Sequence, residues 1–357
     1  MADITKYLPE KVNRLEEYKP NEAIYPIRMD ANESPYLPSE AMLSKFADVT
    51  KGILYNRYPD PKAGALIDAF SKIYNVNPEC VAAGNGSDEL ISILYGSFMA
   101  KGDKVMMLAP DFSMYSFYDG ISETELVKYP KADDRFIDFD AAAKTAVEQQ
   151  VKLVIFSNPC NPTGVVYDRE TIVKFIKALP CICVVDEAYM DFSPVDCSVL
   201  DLCDTEGFDN LIVLKTLSKI GLAALRVGFA VASKEMAAAV RKVKSPYNVN
   251  SLSQALAQTA LSDFGEFAAH ITEVKANVLA LYEAVKQYEE KAGFTVLAPG
   301  ANFVTLYFTD GAKAKAIFEG LASKGVIVRY TCGRCLRVTC GTAEENAVFL
   351  KEFGGLV

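Results

Sequence analysis

From residue 60 to residue 245 short apolar or β-branched runs alternate with longer stretches whose apolar positions recur at helical spacing. That alternation is expected of βαβ units building a parallel sheet. The strand runs are Lys104 to Leu108, Lys152 to Phe156, Cys181 to Val185, Leu211 to Leu214 and Val227 to Val231. Between them Ser87 to Met99 and Arg169 to Ala178 read as helices, and Lys234 to Lys244 closes at Ser245-Pro246, where proline discourages continuation. Ser251 to Glu290 reads as one or two long helices broken near Ser262 to Gly265. Beyond Thr295, strand runs at Asn302 to Phe308, Val326 to Tyr330 and Leu336 to Thr339 mix with helices, which suggests a smaller α+β domain. The expected division is a large domain over residues 30–245 and a small one formed by 246–357 together with 1–29.

Length agrees with two units, because 357 residues exceed what a single core usually fills. With 37 basic against 46 acidic residues, a net charge of -9 and no basic run, the chain is not expected to bind nucleic acid. No segment approaches the ~18 to 20 apolar residues of a membrane span, and Met1 to Tyr7 is polar where a secretory signal would be apolar, so a cytoplasmic location is expected. The 9 cysteines are scattered rather than arranged as a disulfide scaffold. Cys332-Gly-Arg-Cys335 has redox or zinc spacing but supplies two ligands only, and the single His270 rules out a multi-histidine metal centre. No metal is expected.

Several strand runs end in polar clusters, and open α/β sheets bind ligands beyond the carboxyl ends of their strands. Phe156 is followed by Ser157-Asn-Pro-Cys-Asn-Pro-Thr-Gly164, Val185 by Asp186-Glu-Ala-Tyr189, and Leu214 by Lys215-Thr-Leu-Ser-Lys219. Singly, each has a plain structural reading: turn formers, a helix cap, a surface lysine. Their order and spacing change that reading. Together the asparagine, aspartate and lysine resemble the signature of fold-type I pyridoxal-phosphate enzymes. Within that group the chain is similar to the histidinol-phosphate aminotransferase family, through Asp30 to Tyr36, Asn56 to Asp60, Gly84 to Leu90, Pro110 to Tyr115, Asn158 to Gly164, Asp186 to Phe192, Thr216 to Lys219 and Cys335 to Gly341.

The resemblance implies a mostly parallel seven-stranded sheet flanked by helices, a smaller α+β domain, pyridoxal 5'-phosphate as cofactor, and a homodimer with shared active sites. It gives Lys219 the task of condensing with the cofactor aldehyde and then moving the substrate's α-proton. Asp186 would hold a protonated ring nitrogen. Asn161 and Tyr189 would hydrogen-bond the 3'-oxygen, and Phe112 would stack on the ring. Gly86, Ser87 and Asp88, opening a helix, would offer backbone N–H groups to the phosphate, with Thr216, Ser218 and Arg226 beside them. Tyr58 would come from the other subunit. Arg337 and Arg329 would take the substrate's acidic groups, with Tyr18 and Asn32 nearby.

Two departures from the family pattern bear on specificity. The stretch from Lys219 to Arg226 is one residue shorter than usual, which puts the reach of Arg226 in question, and the segment between Arg329 and Arg337 is also short. The expected substrates are histidinol phosphate, or another amino acid or amino-alcohol phosphate, together with a 2-oxo acid. Threonine-phosphate decarboxylases and aromatic aminotransferases share this ancestry and remain the alternatives. A nucleotide-binding Rossmann fold is disfavoured, since no strand run leads into G-x-G-x-x-G with a downstream acidic partner.

Overall fold

The computed structural model describes residues 4–15, 17 and 23–357. Their strands are β1 (Ile27–Met29), β2 (Val81–Gly84), β3 (Lys104–Ala109), β4 (Glu125–Pro130), β5 (Leu153–Ser157), β6 (Ile182–Asp186), β7 (Leu211–Thr216), β8 (Gly228–Ala232), β9 (Phe294–Val296), β10 (Phe303–Phe308), β11 (Val326–Thr331) and β12 (Cys335–Thr339). The large sheet has seven strands in the order β2-β8-β7-β6-β5-β3-β4. Its β3–β4, β3–β5, β5–β6 and β6–β7 pairs are parallel, and β8 alone runs against its neighbours β2 and β7. The expected mostly parallel sheet is therefore present.

Strands covered on both faces read as continuous apolar runs. In β5, Val154 and Phe156 pack into one core with Ile172, Phe175 and Ile176 of the helix Arg169–Ala178. Leu153 and Ile155 turn to the other core, with Leu90, Ile91 and Leu94 of the helix Gly86–Phe98. This two-residue alternation between opposite cores is the pleat itself. Two strands of this sheet were not visible as sequence runs. β2 is Val-Ala-Ala-Gly, residues with little strand preference apart from the valine, and β4 is a half-exposed edge carrying Glu125 and Lys128.

The smaller sheet runs β1-β11-β12-β10-β9, with β1 parallel to β11 and the other pairs antiparallel. The break expected near Ser262 separates the helices Ser251–Ser262 and Gly265–Lys286. The first packs on the helices Glu40–Lys51 and Gly64–Tyr74, and the second reaches the small sheet at β9 and β10. Among the described residues no helix is long and apolar enough to cross a membrane.

The topology places the chemistry. β2, β3, β5, β6 and β7 point the same way, so the segments after Gly84, Ala109, Ser157, Asp186 and Thr216 all emerge at one edge of the sheet. β8 starts at that edge, two residues after Arg226. Its Gly228 lies so close to the opening helix that an added Cβ would stand 2.6 Å from the Ser87 backbone nitrogen. Only glycine permits that approach.

Candidate active site

At this edge a cleft of about 190 Å³ is lined by Ser87, Asp88, Phe112, Asn161, Asp186, Tyr189, Thr216, Ser218, Lys219 and Arg226, together with Ala31, Glu33, Ser157, Ala188 and Ala223. The cofactor residues expected from the sequence converge here, with Gly86 and Tyr58 as the two outside the lining. Gly86 stands directly behind it: its φ is +83°, and an added Cβ would meet Arg226 Nη2 at 2.8 Å. Tyr58 lies elsewhere, 80% exposed and stacked on Tyr247 at 4.5 Å between ring centroids. Tyr18 lies outside the described residues.

Asp186, the last residue of β6, is buried at 4% exposure. Its Oδ2 accepts from the Tyr115 hydroxyl at 2.8 Å and its Oδ1 from the Ala188 N–H at 3.0 Å. Burial pushes this carboxyl up to about 6, against the pull of those two donors and of Lys219; nearby Asp111 adds to the rise. Tyr115 belongs to the Pro110 to Tyr115 motif, yet sequence reading gave it no task, because nothing local shows that its hydroxyl reaches β6. Glu187 faces away, accepting from Ser198 Oγ at 2.6 Å and the Val199 N–H at 2.8 Å, and burial pushes it up to about 7.

Lys219 follows β7 in a wide turn closed by Leu222 N–H donating to Leu217 O at 3.3 Å. Its Nζ donates to Ala31 O at 3.4 Å and stands 5.7 Å from the centre of the Tyr189 ring. The shortened stretch does not keep Arg226 from the cleft. After a further tight turn over Ala223–Leu225 the arginine adopts a left-handed φ of 52°, unusual for this residue type, and Nη1 donates to Ser218 Oγ at 3.3 Å. Thr216 Oγ1 donates to the same Ser218 oxygen at 3.0 Å. Hydroxyls, a guanidinium and the start of the helix Gly86–Phe98 thus converge in a cradle whose chemistry suits an anion, and which the absent Gly86 side chain keeps open.

A wider vestibule of about 550 Å³ shares Ala31, Asp88, Phe112, Asn161, Tyr189 and Lys219 with the cleft and adds Arg28, Asn32, Arg329, Cys332 and Arg337 among others. Arg329 and Arg337 are direct cross-strand partners on β11 and β12. Like charges facing each other destabilise a sheet, so this pair suits a bound anion. Arg337 Nη1 donates to Asn161 Oδ1 at 2.6 Å and Nη2 to the Asp30 carbonyl at 2.5 Å. Asn32 lines the vestibule, but its side chain is engaged: Nδ2 donates to Tyr189 Oη at 2.9 Å, and Oδ1 accepts from Thr339 at 2.9 Å.

Residues 25–353 match the family model for class I and II aminotransferases. The chain is 38% identical to "Histidinol-phosphate aminotransferase 1" of Carboxydothermus hydrogenoformans, covering 99% of both chains. It is 35% identical to the histidinol-phosphate aminotransferase of Thermoanaerobacter pseudethanolicus over 96% of each. The chain belongs to the histidinol-phosphate aminotransferase family. In fold it is similar to the Sinorhizobium meliloti histidinol-phosphate aminotransferase solved in complex with pyridoxal 5'-phosphate, with a TM-score of 0.87, 23% identity and 98% coverage of each chain. The L-threonine-O-3-phosphate decarboxylase of Porphyromonas gingivalis shares the fold at a TM-score of 0.77 and 21% identity, over 92% of this chain and 98% of that one.

The raised Asp186 carboxyl has a measurable consequence in the cofactor-free protein. The native state retains this proton between about pH 4, the ordinary carboxylate value, and about pH 6, so stability falls as pH rises through that window, by on the order of 3 kcal/mol. Asp186→Asn is expected to be the more stable protein at neutral pH and to show a shallower decline, the remainder belonging to Glu187. Urea unfolding across this pH range measures it; an unchanged slope would contradict the buried, costly charge.

Proposed function

We propose that this chain is a pyridoxal-phosphate-dependent aminotransferase that moves an amino group between L-histidinol phosphate and 2-oxoglutarate, a step of histidine biosynthesis. The observation that carries it is the meeting of an amine (Lys219), a buried carboxyl (Asp186) and an amide (Asn161) in one cleft beside an anion cradle. The relatives' names give the substrate class, and the opposed arginines of the vestibule suit its phosphate.

The residues fit the cofactor. Asp186, whose two hydrogen bonds leave its charge costly, suits a protonated ring nitrogen. The backbone at Gly86, Ser87 and Asp88, with Ser218, Thr216 and Arg226, suits the phosphate, and Phe112 suits the ring face. Tyr189 accepts from Asn32, so its own proton is left to donate to the 3'-oxygen, beside the Asn161 amide. When bound, pyridoxal phosphate supplies an electrophilic aldehyde and a ring that takes up the electron pair released at the substrate's α-carbon. Lys219 Nζ is the amine that would hold the cofactor through its aldehyde and would serve as the base for the substrate's α-proton. Arg329 and Arg337 hold the substrate phosphate, or the carboxylate of the 2-oxo acid, and Asn161 fixes Arg337 in place.

The same reading makes the enzyme a cytoplasmic homodimer. Its nine cysteines are free thiols, which suits a reducing compartment. Leu54, Tyr55 and Tyr58 are 69%, 70% and 80% exposed, an apolar group that suits a subunit interface and lets Tyr58 reach the partner's cleft. Light scattering is expected to give a dimer; a monomer at micromolar concentration would remove the shared-site reading.

Purified enzyme is expected to convert histidinol phosphate with 2-oxoglutarate faster than phenylalanine or tyrosine, and to release no CO₂ from threonine phosphate. Lys219→Ala should abolish turnover and the visible absorbance of the lysine-bound cofactor while circular dichroism stays native. CO₂ release, or an unchanged spectrum in the variant, would overturn the reading. Arg329→Ala should raise KM for histidinol phosphate about tenfold or more, with kcat much less affected, the signature of a lost charge-assisted contact. Steady-state kinetics showing an unaltered KM would remove Arg329 from the substrate site.

A further inference from the structure

The Cys332-Gly-Arg-Cys335 motif is not used by the proposed reaction, yet the structure sets it in the vestibule wall. Residues 332–334 form the turn between β11 and β12, across which Thr331 and Cys335 are register partners. Cys332, at a left-handed φ of 50°, is exposed and lines the vestibule, whereas Cys335 is buried. Both are free thiols, and the tight turn sets them at its two ends, three residues apart. The turn is anchored from outside: Arg334 pairs with Asp133 at 3.2 Å and Asp134 at 2.9 Å, and Tyr330 donates to the Gly333 carbonyl. Among the described residues no three His, Cys, Asp or Glu side chains gather as a metal site, so zinc has no third or fourth ligand here.

We propose that Cys332 and Cys335 are a thiol–disulfide exchange site that takes an acidic small-molecule disulfide from the vestibule. An exposed nucleophilic sulfur with a buried sulfur at the other end of the same tight turn is an arrangement suited to such exchange. The neighbouring Cys335 thiol lowers Cys332 from its ordinary range while Cys335 itself is pushed up; Thr331 and Lys131 help Cys332, and burial and Asp134 oppose. Cys332, exposed on the vestibule while Cys335 is buried, is the attacking group. Arg329, which has no ion pair or hydrogen bond among the described residues, lines the same vestibule and selects for carboxylate-bearing disulfides.

The chemistry balances without further reactants. The Cys332 thiolate attacks one sulfur of the small disulfide, whose S–S bond breaks; the first small thiolate departs and takes up a proton. Cys335 then gives up its proton and attacks Cys332 Sγ. The mixed S–S bond breaks, and the second small thiol leaves. Two protein thiols are oxidised and one small disulfide is reduced to two thiols. In the mixed state the attached thiol lies in the vestibule with Arg329 and Arg337 and excludes another acidic molecule.

The test is peptide mapping of the holoenzyme after exposure to oxidised glutathione or to cystamine, which carries amines in place of carboxylates. A Cys332–Cys335 disulfide is expected as the first cross-link, formed several-fold faster with oxidised glutathione, the advantage shrinking at high salt. Cys335→Ser should retain one glutathione on Cys332, and Cys332→Ser, at an exposed position, should suppress the exchange. Absence of the Cys332–Cys335 cross-link, cystamine reacting as fast as oxidised glutathione, or wild-type thiol release from Cys332→Ser would each overturn the proposal. Because wild-type and Cys332→Ser decide the outcome, failure of Cys335→Ser to fold leaves the test intact.

Discussion

Burying a carboxyl at the end of a central strand costs more than two hydrogen bonds return, and the active-site edge is arranged around that imbalance. Asp186 is held by Tyr115 from the β3 side and by the Ala188 N–H, and both leave its charge short of a cation. A dry setting strengthens whatever positive group arrives. Of the two adjacent acids, the pleat sends Asp186 toward the cleft and Glu187 toward Ser198 and Lys215, so a single alternation separates a poised carboxyl from a structural one.

The opposite wall is supplied by the smaller sheet, and polar contacts fix its distance. Arg337 bridges from β12 to Asn161 and to the Asp30 carbonyl. Asn32, at a left-handed φ of 55°, exchanges two hydrogen bonds with Thr339, accepts from Asn302 and donates to Tyr189. The loop after β5 is pinned from the same side, with Thr305 donating to Pro162 O and Tyr307 to Thr163 O. Asn161 and Tyr189, held by Arg337 and Asn32, line both the cleft and the vestibule, so the same side chains shape both. Asn32, expected to meet substrate, lines the vestibule and also donates to Tyr189 Oη.

Much of this was legible along the chain. Lys219, Asp186 and Asn161 stand at fixed offsets after apolar runs, and a parallel sheet sends such offsets to one edge. Ser87 and Asp88 announced themselves as a glycine-flanked helix start. What escaped was whatever depends on separate segments. β2 carries weak strand preferences and β4 has its apolar positions interrupted by Glu125 and Lys128; both are strands because their neighbours pair with them. Tyr115 looked like a motif aromatic until its hydroxyl was found on Asp186.

The sequence by itself determined the order of the elements, the amine, carboxyl and amide that follow particular strands, and the family the chain belongs to, because these are properties of local pattern and spacing. The tertiary structure alone decided that Arg226 reaches the cradle through a re-formed turn, that Arg329 faces Arg337 across a ladder, and that Cys332 opens onto the vestibule while Cys335 does not. The reason is that contacts between residues far apart in the chain are set by packing and strand register, and a change of one residue in register reverses which face a side chain occupies.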